Sequence, residues 1–491
     1  MGFILLLALI LPILSIPAIY FGGKRSSKSA AFILAFVAVV GIILISLTIP
    51  AVFSESNHRY TESYQWIPLL NSELNLFVDG ISLPMAYMSL IIVVAAAIFS
   101  VSYIKSDKNP ATYYALMALL ATGLLGVFVT SNFLLFYFFW ELMVIPTYFL
   151  IGGYGYGNSY KTAFKFLIFT HAGAVFVLLG IGAIFMTTNS LDMFQAQNLL
   201  LTTAPDIVKW ILLSVTIGFA VKMAIVPLHV WLPETYAESP APMSALISGV
   251  LTSAGAYAII RISMEVIFPA ISATTFAHYY VYGLATFGVI SALFGSMVAL
   301  RETDIKKVIA YSSISHMGYL LFGASLFPIE IAITGTVLHI FAHAMSKSLL
   351  FLSSGAITSR LETRDINNMG GLASKMPFTA SASTTALLSL AGTPPFACFI
   401  SEFLIFMGAF QLLEIDSFFI IPTAFMLVAS VFSLAYALRF MSKVMFGKSR
   451  IEGVVPDATG YMKTSMIILT TLTVLIGILP QLIIYVINTM Y

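Results

Sequence analysis

Four ionisable residues sit where a chain this apolar would be expected to carry none. Lys222 follows Lys209 by 13 residues inside one apolar run. At about 1.5 Å per residue that is roughly 20 Å of helix, about two-thirds of the way through a bilayer's hydrocarbon. Glu141 lies in FFWELMVIP, Lys347 in HIFAHAMSKSLLF and Glu402 in FISEFLIF. A charge at mid-membrane costs about 2.5–3.5 kcal/mol on insertion scales, so such residues face a partner or water. A satisfied packing ion pair accounts for one isolated charge. Two acids and two lysines in one chain point instead to a path that conducts ions.

His339, His343 and Lys347 fall at i, i+4 and i+8, on one face of a helix. Titratable groups about 6 Å apart along a helix suit proton hopping through intervening waters, and imidazole accepts and releases protons near neutral pH. The competing readings are a polar stripe packed on a neighbouring helix and a metal site. Two histidines joined by no Cys or Asp make a poor metal cage. His316, in Ser312–Ser315–His316, is a further relay candidate. His171 and His229 read as structural. Asp79, beside Gly80 where a helix begins, reads as a cap or loop anchor. The GGYGYG segment at 152–157 lacks a following Lys-Ser/Thr and reads as a flexible turn, not a phosphate loop.

The elements that hold these groups follow from composition. Hydrophobic residues make up 59% of the chain and charged residues 9%, whereas soluble domains carry about 25% charged residues. The apolar residues come in bilayer-length runs, and in lipid such runs are helices because the backbone must satisfy itself. Fourteen spans are expected, near 3–21, 30–50, 80–104, 112–130, 132–152, 160–187, 207–232, 240–268, 278–300, 305–326, 329–357, 379–411, 417–445 and 461–488. The first lacks a basic leader and a small-residue cleavage site, so it reads as a retained helix. No basic stripe suits nucleic acid. Cys398 is the only cysteine, which leaves no disulfide framework and no CxxC site. No cofactor or metal is expected on this chain.

Connections after odd-numbered spans carry Lys24, Arg25, Lys28, Lys105, Lys108, Lys161, Lys165, Arg301, Lys306, Lys307, Arg360, Arg364, Lys375, Arg439, Lys443, Lys448, Arg450 and Lys463, which is 18 of the 23 basic residues. The other side has Arg59, Lys209 and Arg261. The positive-inside rule then places both termini outside the cytoplasm. The long loop near 53–78 agrees, with Glu55, Glu62 and Glu73 against Arg59 alone.

Pro227 follows Lys222 by five residues, and Gly392, Pro394 and Pro395 precede Glu402 by seven to ten. Helices broken beside buried charges, in matching places of two halves, mark ion sites in transporters with internal repeats. The expected fold is therefore an all-α membrane protein of about 14 transmembrane helices. It has two inverted five-helix repeats, helices 4–8 and 9–13, with helices 7 and 12 broken. Residues 1–110 hold helices 1–3, 111–270 the first repeat, 271–450 the second, and 451–491 helix 14.

The segments FYFFWELMVIPTYFLIG, KMAIVPLHVWLPETYAESPAPMSALISGVL, RETDIKKVIAYSSISHMGYLL, HIFAHAMSKSLLFLSSGAI and AGTPPFACFISEFLIFMGAF resemble the antiporter-like subunits of respiratory complex I, a superfamily shared with membrane-bound hydrogenases, the methanogen F(420)H(2) dehydrogenase and Mrp-type Na+/H+ antiporters. The resemblance spans about residues 75–445. It implies that Glu141 and Lys222 form a buried pair and that Glu402 is the terminal site. A glutamate there, where N-type and Mrp D-type subunits carry lysine, is similar to the M-type. It also implies further antiporter-like membrane subunits and a redox peripheral arm as partners, an energy-coupling membrane as the location, and no redox centre here. One departure is that many relatives carry a helix-8 lysine where this chain has Thr252–Ser253. A hydroxyl orders water but holds no positive charge, so Ser253 is at most a relay through water.

The mechanism implied is a proton relay from Glu141 and Lys222 through His339, His343 and Lys347 to Glu402, in a complex fed by NADH, F(420)H(2) or hydrogen. A carboxylate about 6 Å from a lysine restores roughly 2.8 kcal/mol to its charged form at an effective dielectric near 20. That compares with about 2.3 kcal/mol for moving one charge against 100 mV. The first rival is a subunit of an Mrp-type antiporter driven by an existing gradient. A carrier of an organic solute would leave the charged row unexplained, and a passive scaffold would tolerate neutralising Lys222, Glu141 or Glu402.

Overall fold

The computed structural model describes residues 2–54, 58–70, 72–104, 108–451 and 453–490. Glu55 and Lys105, used in the charge count, lie outside the described residues. Among those described, eleven helices are long and apolar enough to cross a membrane. They are α1 (Ile4–Arg25), α2 (Ser27–Ser54), α3 (Ser82–Tyr103), α4 (Pro110–Val129), α5 (Phe133–Tyr154), α6 (Ser159–Thr188), α8 (Ala241–Ile271), α9 (Thr275–Arg301), α11 (Glu330–Leu361), α13 (Ser417–Phe446) and α14 (Gly460–Ile478). The other three expected spans differ for physical reasons. α7 is broken into Pro205–Met223 and Leu232–Glu238. α10 (Ile305–Ser325) is rich in Ser and Lys. α12 is broken into Pro377–Leu390 and Ala397–Leu413, each arm too short to span alone.

Side-chain caps set several boundaries. Asn132 accepts from the amides of Leu134 (2.9 Å) and Leu135 (3.1 Å), so the tight turn after Ser131 starts α5 without leaving bare donors. Asp304 does the same for Lys306 and Lys307 at the start of α10. The GGYGYG segment ends α5 and turns into α6, as read from the sequence.

The segment expected to be a polar loop contains an antiparallel hairpin, β1 (Tyr60–Ile67) on β2 (Ser72–Val78). Glu62, counted as an acidic loop residue, is buried. It accepts from the amides of Leu5 (2.9 Å) and Leu6 (3.1 Å) and from the hydroxyls of Tyr60 and Tyr64. A carboxylate on the first amides of α1 complements the helix dipole. The hairpin is thus pinned to α1.

α8 and α11 are buried along their membrane-crossing windows, and α10 is buried over most of its length. These three form the centre, with α9 and α13 outside them. Close approach needs small residues. A Cβ on Gly318 of α10 would lie 2.5 Å from the Gly288 carbonyl of α9.

Two cations counted among the loops are buried. Lys306 donates to the carbonyl of Ser239 (2.5 Å) just past the second arm of α7. Arg261 lies inside α8, where its guanidinium meets both oxygens of Asp79 (2.6 and 2.7 Å) and Glu265 (2.7 Å). Asp79 also accepts from the amides of Ile81 and Ser82, so it both caps α3 and anchors α8. Removing one partner of a buried ion pair costs about 3–5 kcal/mol, whereas replacing both by apolar groups is near neutral. Asp79→Ala is therefore expected to lower the unfolding temperature of the detergent-purified protein sharply, and Asp79→Ala with Arg261→Met to recover most of the loss. Equal losses for the single and double variants would show that the pair is not what holds α3 to α8.

Candidate functional site

Lys222 is the penultimate residue of the first arm of α7, and the arm stops because Ala224 adopts a left-handed conformation (φ 56°). A helix ending in hydrocarbon bares carbonyls and amides that water cannot reach. Here the protein supplies partners. Trp231 Nε1 donates to the Val221 carbonyl (3.0 Å), and Ser291 of α9 accepts from the Val226 amide (3.0 Å). The C-terminal end of a helix also favours a cation, so the break itself positions the ammonium. Lys222 is 1% exposed. Its Nζ has no hydrogen-bond partner among the described residues and lies 4.6 Å from the centre of the Trp140 ring, within cation–π range.

Glu141 and Lys222 make no direct hydrogen bond among the described residues, and the carboxylate acts on the ammonium electrostatically. Glu141 Oε2 meets His171 Nδ1 at 3.1 Å, and its Oε1 has no hydrogen-bond partner among the described residues. α5 turns the carboxylate toward His171 of α6, while the break in α7 holds the lysine over the ring of Trp140. His171, read as structural, is therefore the carboxylate's partner. It is also exposed, at 59% of its side chain. A groove of about 400 Å³ runs beside Glu141, lined by Leu134, Tyr137, Phe138 and hairpin residue Trp66. His229, also read as structural, lies in the α7 break with its ring edge-on to Phe294.

Between Lys222 and the next charge the interior offers hydroxyls. Ser253 Oγ is buried with no hydrogen-bond partner among the described residues. Thr252 is closed off by the carbonyls of Ile247 and Ser248, and Ser248 meets Ser313 of α10 at 3.1 Å. Lys347 of α11 donates to Ser312 Oγ and, at 3.4 Å, to the Ile309 carbonyl.

His339, His343 and Lys347 share the inner face of α11, all buried. His316 of α10 joins them. Its ring centre lies 5.3 Å from that of His339 and 5.2 Å from that of His343. With neutral imidazoles the proton count orders a chain. Ser401 donates to the Cys398 carbonyl (2.9 Å), so its oxygen accepts from His339 Nδ1–H (2.8 Å). His339 Nε2 then carries the lone pair and accepts from His316 Nδ1–H (3.2 Å). His316 Nε2 in turn accepts from the Tyr436 hydroxyl (3.2 Å).

Glu402 closes the row. It offers an oxygen within 4.8 Å of ring nitrogens of both His316 and His339. The break in α12 makes room for it: Gly392 has φ 62°, and a Cβ there would lie 2.6 Å from Glu402 Oε2. Glu402 Oε1 has no hydrogen-bond partner among the described residues. A cavity of about 260 Å³ lies beside it, bounded by Gly392, Phe399, Phe403, Ser430 and Val431.

The structure thus gathers His316, His339, His343 and Glu402, places Lys347 one turn along α11, and leaves Glu141 and Lys222 without a direct hydrogen bond. Sequence reasoning missed Tyr436, Ser401, Trp140 and the role of His171. Ser401 adjoins Glu402 in sequence, which was a usable signal. Tyr436 in an apolar helix carried none.

Residues 130–433 match the protein family described as NADH:quinone oxidoreductase/Mrp antiporter, transmembrane. Similar proteins include F(420)H(2) dehydrogenase subunit M of Methanosarcina mazei, 32% identical over 431 residues, covering 86% of this chain and 84% of that one. NADH-quinone oxidoreductase subunit M of Escherichia coli is 34% identical over 428 residues, covering 85% and 81%. Among solved structures, a chain of the Mrp complex from Dietzia sp. superposes with a TM-score of 0.87 at 22% identity, covering 100% of this chain and 97% of that chain. A chain of respiratory complex I from Thermus thermophilus with bound NADH gives 0.84 at 21%, covering 99% and 100%.

A buried amine without a hydrogen-bond partner carries a desolvation penalty of about 1–3 kcal/mol. Lys222→Met is expected to leave thermal stability unchanged or raised. A drop of several degrees in the unfolding temperature would show that Lys222 holds the fold through contacts other than those described.

Proposed function

The chain belongs to the NADH:quinone oxidoreductase/Mrp antiporter family of membrane subunits, and from that premise we propose that it is the proton-translocating, M-type subunit of a redox-driven, complex I-like assembly. It is a multi-pass integral membrane protein. The observation that carries the reading is the ordered chain from Tyr436 through His316 and His339, with Glu402 beside it, buried at the centre of the membrane-crossing helices. Such a chain passes protons by hopping.

Glu141 acts as the switch. Bonded to His171, it acts on Lys222 only at a distance, which eases release of the lysine's proton. Turned to Lys222 at about 6 Å, it restores roughly 2.8 kcal/mol to the charged amine at an effective dielectric near 20. That is enough to work against about 2.3 kcal/mol per charge at 100 mV. The released proton passes by water and the hydroxyl of Ser253 to Lys347, then by His343, His316 and His339 to Glu402. This chain contributes no redox cofactor in our reading. Electrons run through partner subunits, and coupling reaches this one along the membrane plane.

Both ends of the row open laterally. His171 and Phe138 are exposed at one end, and Phe403 and Val431 at the other, which suits further antiporter-like subunits on either side. The membrane is the energy-coupling one, with both termini on the non-cytoplasmic side. The Mrp-type reading shares the fold. Relatives above 30% identity include subunits M of F(420)H(2) dehydrogenase and of NADH-quinone oxidoreductase, which favours the redox-driven assembly.

Proton uptake by proteoliposomes holding the assembled complex tests this. Lys222→Met and Glu402→Gln are each expected to reduce pumping at least tenfold, with assembly intact on native gels. Pumping at the wild-type rate in either variant would remove that residue from the path.

A further inference from the structure

We propose that His316, His339 and Glu402 form an inhibitory binding site for a borderline transition-metal dication of the Zn2+ class. This deepens the relay reading above and rests on it for the inhibition, though not for the binding. The three residues come from α10, α11 and α12, and one ligand atom of each lies within 4.8 Å of the others.

Two nitrogens held by tetrahedral zinc at about 2.0–2.1 Å stand about 3.3–3.4 Å apart. His316 Nδ1 and His339 Nε2 are already 3.2 Å apart. Glu402 closes the remaining gap by rotating its own side chain, whose Oε1 has no hydrogen-bond partner among the described residues although the residue is 6% exposed. His343 is in reach of a fourth position. Neither of its ring nitrogens has a hydrogen-bond partner among the described residues, and its ring centre is 5.2 Å from that of His316.

The outer contacts fit a metal site as well. A ligating histidine holds its other nitrogen on a hydrogen-bonding group that fixes the ring. His339 does so through Ser401 and His316 through Tyr436. His339 Nε2 already presents a lone pair. His316 binds once its proton moves from Nδ1 to Nε2, with the Tyr436 oxygen turning from donor to acceptor. Imidazole with one carboxylate selects zinc, cobalt or nickel over magnesium and calcium, which prefer all-oxygen sets. Lys347, two turns along α11 from His339, opposes a dication and keeps binding reversible. A cavity of about 260 Å³ beside Glu402 leaves its side chain room to turn onto the ion. Once bound, it occupies both nitrogens that hand the proton across, and the relay stops.

Co2+ is the probe, because its visible d–d band is intense in a tetrahedral site and weak in the hydrated ion. The purified complex is titrated with Co2+ and then Zn2+, comparing wild type with Glu402→Gln, His339→Cys and Ser401→Ala. The wild type is expected to show one more zinc-displaceable tetrahedral cobalt per complex than Glu402→Gln. His339→Cys, which keeps a ligand, is expected to add a sulfur-to-cobalt charge-transfer band. Ser401→Ala is expected to weaken binding about 10–100-fold. Zinc should stop wild-type pumping over the range in which it displaces cobalt. The proposal is overturned if wild type and Glu402→Gln give the same cobalt spectrum, if His339→Cys adds no charge-transfer band, or if zinc displaces cobalt from this site without slowing pumping. The relay reading fails separately, if Glu402→Gln without metal pumps at the wild-type rate.

Discussion

Inside hydrocarbon a polar group has only the protein to bond to, and this governs how α7 and α12 are built. Both helices stop near mid-membrane, and each stop leaves backbone groups that would cost several kcal/mol if left bare. Trp231 and Ser291 close the first break. At the second, the Thr393 amide turns back to the Leu388 carbonyl and α14 packs so tightly that a Cβ on Gly477 would clash with the Pro395 carbonyl. With the backbone satisfied, each break presents a buried ionisable side chain: Lys222 at the end of a helix, and Glu402 in the space that Gly392 leaves.

The groups between these two residues divide into a proton-ordered stretch and a stretch of hydroxyls. From Tyr436 to Ser401 each hydrogen bond fixes the tautomer of the next imidazole, so the chain has a direction. From Lys222 to Lys347 the interior holds serines and threonines from α8 and α10. α8 widens to i→i+5 hydrogen bonding over Ile247–Leu251 and Ile259–Ile267, on either side of Ser253. Such widenings cluster at functional sites, and here they flank the position where the expected helix-8 lysine is missing.

The outer ends of the row are shaped by what lies beside the chain. An exposed imidazole at mid-helix, His171, is unsuited to lipid and suits contact with a neighbouring membrane subunit. The hairpin at 60–78 and the Asp79–Arg261–Glu265 cluster brace the side opposite the basic loops, tying α1, α3 and α8 together.

The sequence alone determined the class of fold, the positions of the eleven long apolar helices, the two helix breaks and the burial of Lys222, Lys347 and Glu402. These are local matters: run length, Pro and Gly placement, and an ionisable residue in an apolar run are visible in one dimension. The i, i+4, i+8 face of His339, His343 and Lys347 was legible for the same reason. The sequence did not disclose the hairpin, because its half-buried strands resemble a polar loop, nor the burial of Lys306 and Arg261, whose partners lie far away in the chain. Tertiary structure alone decided that Glu141 meets His171 and not Lys222, since the direction of a side chain depends on how α5, α6 and the α7 break pack. It also decided that His316, Tyr436 and Glu402 meet, because they come from three helices whose approach is set by glycine contacts and by Gly392's empty Cβ position. Lys222 is at mid-membrane by sequence; that it stands over Trp140 with no carboxylate in contact is the work of the fold.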